Sequence, residues 1–208
     1  MNELAAHSKN AEAMMRKIFV MLALMFSVTA WAGDLEDGIA AYDKQDYATA
    51  IVHFKAAAAK GNASAQNYLG VMYDEGHGVA QNYAEAVRWY KLAAAQGLDD
   101  AQYNLGVMYD EGHGVAQNYA EAVRWYKLAA AQGLADAQFN LGHMYRNGHG
   151  VAQNFVQAHV WFNLAATKSD KDAVKERNNI AKKMTQQQIA EAQKLARECL
   201  ARNYKNCD

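Results

Sequence analysis

The stretch from Leu69 to Leu98, LGVMYDEGHGVAQNYAEAVRWYKLAAAQGL, returns letter for letter from Leu105 to Leu134, and a drifted copy starts at Leu141. The spacing is 36 residues each time. Self-similarity at a period of about 20–50 residues marks one supersecondary unit stacked on copies of itself, so that neighbours bury a core that no unit could bury alone. Identical side chains then recur at translated positions, which suits binding to something long and suits a unique catalytic pocket poorly.

Each unit divides into two helices. In the second unit the first helix is expected from about Asp100 to Glu111, with Ala101, Leu105 and Met108 on one face, and it stops at Gly112-His113-Gly114. The second helix opens at Asn118, an N-cap residue, with Glu121 three positions on as the other half of a capping box, and ends at Gly133. Gly70, Gly106 and Gly142 fall inside the first helices, where glycine costs about 1 kcal/mol relative to alanine. Their recurrence predicts a close helix approach, with Trp89, Trp125 and Trp161 lying over the gap. The chain contains no proline, and its abundance of Ala, Gln, Lys and Leu favours uninterrupted helices, so the fold class is all-α.

Residues Met15 to Ala32 read MRKIFVMLALMFSVTAWA. Arg16 and Lys17, an apolar run from Ile18 to Val28, and Ala30 and Ala32 around Trp31 make the pattern of a secretory signal cut after Ala32. The run is shorter than the roughly 20 residues a membrane span needs, and residues 1–13 read as an upstream extension. Residues 1–32 hold three of the 21 basic and two of the 22 acidic side chains, which leaves 18 and 20 in the mature chain. A chain so close to neutral lacks the basic footprint of a nucleic-acid partner. No later segment is apolar enough to span a bilayer, so the expected product is soluble and periplasmic, with release from the cell as a variant.

The units share the pattern A-Q-[YF]-N-L-G-x-M-Y-x-x-G-x-G-V-x-Q-[ND]-[YF]-x-x-A-x-x-W-[YF]-x-x-A-A, which resembles the Sel1-like repeat, a relative of the tetratricopeptide repeat. Ala101, Gln102, Leu105, Gly106, Tyr109, Gly112, Gly114, Ala122, Trp125, Ala129 and Ala130 match it in place. Ala80, Ala116 and Ala152 depart from it where proline is common, and Tyr68 replaces the usual Asn. The resemblance implies a right-handed α-solenoid of helix pairs, an α/α superhelix. Its units are residues 63–98, 99–134 and 135–170, preceded by a degenerate, tetratricopeptide-like cap at 33–62 and followed by C-terminal capping helices over 171–208. In the cap Gly38, Tyr42, Tyr47, Phe54 and Ala57 keep the pattern without the long loop. Beyond it, helices are expected at Ala173–Met184 and Thr185–Asn203, the latter opening on the capping box Thr185 and Gln188.

Residues able to carry chemistry are few. His77, His113 and His149 occupy the same loop of successive units, but stacked helices stand roughly 8–10 Å apart, whereas a zinc ion needs its imidazoles at about 2 Å; they are read as exposed loop positions, with no metal site. His143 and His159 replace valines of the preceding copy, Val107 and Val123, and mark either a local binding spot or simple drift. After residue 32 the only serines are Ser64 and Ser169, and neither lies in a hydrolase motif. No H-E-x-x-H, C-x-x-C or phosphate loop occurs, so no catalytic residue and no cofactor is expected. Cys199 and Cys207, the sole cysteines, read as a disulfide in an exported chain or as a reactive thiol.

In superhelical helix pairs the first helices line the concave face, which makes Asn104, Val107, Asp110, Glu111, Asn140, His143, Arg146 and Asn147 the candidate groove. Its charge passes from Asp74, Glu75, Asp110 and Glu111 to Arg146, a gradient able to orient a partner. The expected function is a non-enzymatic envelope scaffold or adaptor that binds a protein or peptide there, as the resemblance also implies. Two alternatives stand beside it. One is a weak β-lactam- or peptidoglycan-linked hydrolase, by likeness to Helicobacter cysteine-rich proteins, whose disulfide in every repeat is lacking here. The other is a secreted host-interaction effector.

Overall fold

The computed structural model describes residues 33–167, 171–205 and 207. The expected signal segment and its cleavage point lie outside them. Every regular element among the described residues is a helix: α1 over 33–43, then α2 (Tyr47–Ala59), α3 (Ala63–Glu75), α4 (Tyr83–Ala95), α5 (Asp99–Glu111), α6 (Tyr119–Ala130), α7 (Ala135–Asn147), α8 (Phe155–Ala166), α9 (Lys171–Ala181) and α10 (Gln186–Ala201). Two compact units divide after Ala65. In the first, α1 and α2 form a hairpin around Phe54, which is fully buried. In the second, α4 packs on α5, α5 on α6, α6 on α7, α7 on α8, and both α9 and α10 pack on α8. This is an α-solenoid of helix pairs.

The hairpins close on glycine. A methyl group added at Gly106 would lie 2.6 Å from the ring of Tyr126, and one at Gly70 or Gly142 would meet Tyr90 or Phe162 at 2.4 and 2.5 Å. The residue over the gap is therefore the aromatic one after the tryptophan, not the expected Trp89, Trp125 or Trp161. On α6, buried Ala122, Val123, Tyr126, Ala129 and Ala130 face inward, and Trp125 stands one step round the helix, half-buried beneath the Arg124 guanidinium at 4.1 Å. The same contact closes the first unit, where Gly38 faces Phe54 at 2.7 Å. There glycine and aromatic are 16 residues apart instead of 20, because the long loop is missing.

Caps follow the residues that can supply them. Asn118 accepts hydrogen bonds from the backbone N–H groups of Ala120 and Glu121 at 3.1 Å. The expected second half of that capping box does not form, since the Glu121 carboxylate pairs with Arg124 at 3.0 Å instead. At Thr185 both halves are present, with Gln188 returning the bond. Gly112 ends α5 in the left-handed conformation at φ 75°, where a side chain would be strained.

Buried glutamines tie one pair to the next. Gln102 and Gln138 donate to the carbonyls of Ala94 and Ala130 in the preceding pair, at 3.4 and 3.3 Å. At the far end Cys199, wholly buried, forms a disulfide with Cys207, and Tyr204 lies so close to Gly133 that a methyl there would stand 2.9 Å from its ring.

Two outcomes follow for stability. Gly106→Ala would stabilise an exposed helix by about 1 kcal/mol; here it will destabilise by about 1–3 kcal/mol through overpacking against Tyr126, and Gly106→Ala with Tyr126→Leu will recover part of the loss in urea unfolding. Reduction of the disulfide will remove at most about 2–3 kcal/mol, the loop-closure value for so short a ring, and hydrogen exchange will quicken at the end of α10 first.

Candidate functional site

The candidate face is built from the exposed sides of α3, α5 and α7. The apolar stripes of α5 and α7, Ala101, Leu105 and Met108 with Ala137, Leu141 and Met144, are buried. That leaves Asn104, Val107, Asp110, Asn140, His143 and Arg146 half-buried, with Glu111 and Asn147 exposed. Most of these side chains are already engaged within the chain. Asn104 donates to Asn67 Oδ1 at 3.1 Å. Asp110 Oδ2 accepts from the Tyr126 hydroxyl at 3.3 Å, and Asn140, from the following unit, bonds both Tyr103 and Tyr126. Burial raises the carboxyl of Asp110 above the ordinary range although the Tyr126 bond opposes it, and Asp74, bonded to Tyr90 at 3.3 Å, behaves alike. Burial, followed by the Asp110 carboxylate, drives the Tyr126 phenol strongly upward.

The third unit exchanges this polar network for an aromatic one. Phe162 stands in place of Tyr126 and offers no hydroxyl, and Arg146 stands in place of Asp110. His143 lies edge-on between Phe139 and Phe162, with ring centres 4.5 and 5.1 Å away. Arg146 turns to α9, where it pairs with Glu176, while its Nε donates to Asn147 at 3.2 Å. Burial, then Arg146, lowers the His143 pKa against the opposing pull of Glu176. His159 points elsewhere: it is 3% exposed on α8, its Nδ1 has no partner, and burial followed by Arg177 lowers its pKa. The two histidines that stand out in the sequence thus belong to different environments.

Sequence reasoning missed the role of the loop histidines. His113 stacks on Tyr83 of the preceding pair, with ring centres 4.5 Å apart and planes 12° apart, and His149 stacks on Tyr119 at 4.6 Å and 17°. The glycine that follows makes the contact possible. A methyl at Gly114 would stand 2.4 Å from the Tyr83 carbonyl, so the G-H-G turn presses its backbone onto the neighbouring helix start. Glu111 holds His113 Nδ1 at 3.1 Å. These histidines join repeats to one another, and the G-x-G that recurs at the end of each first helix was the available signal. Also missed were Glu176, Asn179 and Lys183 of the capping segment, which line one cleft with Arg146.

Compared with known families, residues 32–62, 63–98, 99–134 and 135–170 each match the Sel1 repeat. The chain belongs to the Sel1 repeat family. Sel1 repeats generally mediate protein–protein interactions as non-catalytic scaffolds. Among solved structures, a Sel1 repeat protein from Oxalobacter formigenes is 37% identical, with a TM-score of 0.64 over 67% of this chain and 57% of that one. The protein c5321, a protective antigen of uropathogenic Escherichia coli strains with an SLR fold, is 30% identical, with a TM-score of 0.58 over 76% of this chain and 42% of that one. The chain thus spans roughly half the length of these two proteins. No curated protein matches it. No helix among the described residues is long and apolar enough to cross a membrane.

The histidines set a pH dependence. With the folded-state pKa of His143 and His159 below 6.5, the unfolded chain takes up protons first as pH falls; their contribution is complete above pH 6.5 and is lost below it. Unfolding midpoints should therefore drop between pH 7.5 and 5.5. His159→Val, which restores the residue of the second unit and removes the unpaired Nδ1, should flatten that dependence and raise stability by about 1 kcal/mol.

Proposed function

We propose that the chain is an exported, non-catalytic scaffold of the cell envelope that holds an extended protein or peptide segment along the α3–α5–α7 face. Asn104, Val107, Asp110, Glu111, Asn140, His143, Arg146 and Asn147 are its contact residues. The observation that carries this reading is the way these positions are held. Half-buried polar groups repeat at a 36-residue translation in two cases, Asp74 with Asp110 and Asn104 with Asn140, and internal bonds such as Asn104 to Asn67 and Tyr126 to Asp110 fix such groups before any partner arrives, which lowers the entropic cost of binding. The change from Asp74 and Asp110 to Arg146 along the face gives a partner one favoured direction.

Export rests on two features, the signal-type pattern of residues 15–32 and the bonded pair Cys199 and Cys207, which suits an oxidising compartment. Both parts are open to experiment. Osmotic shock should release the protein with periplasmic markers, and retention in the cytoplasm would refute export. A photo-crosslinking residue at position 111 should trap discrete protein adducts in living cells. Asp110→Lys with Arg146→Glu should weaken capture about tenfold, the effect of roughly 1.4 kcal/mol, and capture unchanged by that pair of substitutions would count against the face.

A further inference from the structure

Resting on the reading of the α3–α5–α7 face as a peptide track, we infer that the cleft between α7 and α9 receives the C-terminal carboxylate of the bound chain. The cleft has a volume of about 250 Å³ and is lined by Arg146, Glu176, Asn179, Ile180 and Lys183. Two cations face one anion in it, so it carries a net positive charge.

The positions of its groups suit a carboxylate. Arg146 Nη1 is held by Glu176 and its Nε by Asn147, so the guanidinium is oriented while Nη2 remains for a ligand; a planar fork fixed in this way is the side chain best matched to a carboxylate. Lys183 supplies a second cation, with its Nζ 6.0 Å from the Phe155 ring. The exposed amide of Asn179 can meet a peptide group.

Place in the fold selects a chain terminus over an acidic side chain. Asp74, Glu75, Asp110 and Glu111 repel carboxylates and attract cations along the first two pairs. Beyond α7 the first-helix position is taken by α9, which with α10 packs on α8, so the regular track stops beside the cleft. A peptide with basic residues upstream and a free terminus fits these features, and terminal carboxylates are a recurrent target of such recognition.

The test uses the full chain and three labelled pentapeptides. One is acetyl-Lys-Ala-Lys-Ala-Leu with a free carboxylate, the second is its C-terminal amide, and the third is an amide in which the central Lys is replaced by Glu. By fluorescence anisotropy the free acid should bind at least tenfold more tightly than either amide. Lys183→Gln, at an exposed position, should remove the preference for the acid over the amide, and N-acetylleucine alone should shift amide resonances of α7 and α9. Equal binding of acid and amide, or a preference that survives both Lys183→Gln and Arg146→Gln, would overturn the cleft assignment; if that binding still weakened with Asp110→Lys, the track itself would stand. Shifts from N-acetylleucine without any pentapeptide response on α3 and α5 would keep the cleft and overturn the track. Silence from every probe would overturn both.

Discussion

The contact between a helical glycine and the flat of an aromatic ring governs the rest of the second unit. At Gly70, Gly106 and Gly142 no side chain fits beneath Tyr90, Tyr126 and Phe162, so the two helices of each pair approach as closely as backbone and ring allow. That closeness brings the ring edge to the far side of the first helix. There the hydroxyls of Tyr90 and Tyr126 reach Asp74 and Asp110. A contact that closes the core thereby also fixes two acidic side chains of the candidate face, and where the hydroxyl is missing, at Phe162, the acidic residue is missing too and Arg146 bonds to α9 instead.

Neighbouring pairs are joined by a different kind of interaction. Within a pair the contact is a buried apolar one with the tyrosine–aspartate bond at its edge in the first two units. Between pairs it combines buried glutamine bonds to backbone carbonyls with histidine rings stacked on tyrosines at the surface. Stacked rings of this sort contribute about 0.5–1.5 kcal/mol beyond their buried area, and glycine at 114 and 150 is required for them because any side chain would strike the backbone of the preceding helix.

The sequence made the fold legible because a 36-residue period, glycine stops and Asn caps all act locally and repeat. The positions of α5, α6 and α10 agree with that reading to within one or two residues at most ends. What it could not provide was which aromatic residue lies over the glycine. Trp125 and Tyr126 are adjacent and both apolar, so only the rotation of α6 about its axis, set by packing against α5 and α7, separates them. The Glu121 half of the capping box failed for a comparable reason, since Arg124 three residues on competes for the same carboxylate. On the candidate face the residues of α5 and α7 were named from helical spacing together with the expected superhelix, whose first helices line the concave side. Their bonds to Tyr103, Tyr126 and Glu176 could not, because those partners come from other helices of the stack.

The histidine–tyrosine joint involves only one pair and the next, and its two rings are the same at both of these junctions. Tyr83 with His113 and Tyr119 with His149 are one interface used twice. A further copy of the block spliced in after Leu98 would meet on each side the surface its neighbours already present. The array can therefore grow or shrink by whole modules through duplication or deletion without inventing a new joint, and the length of the protein becomes a quantity that inheritance can tune independently of its fold.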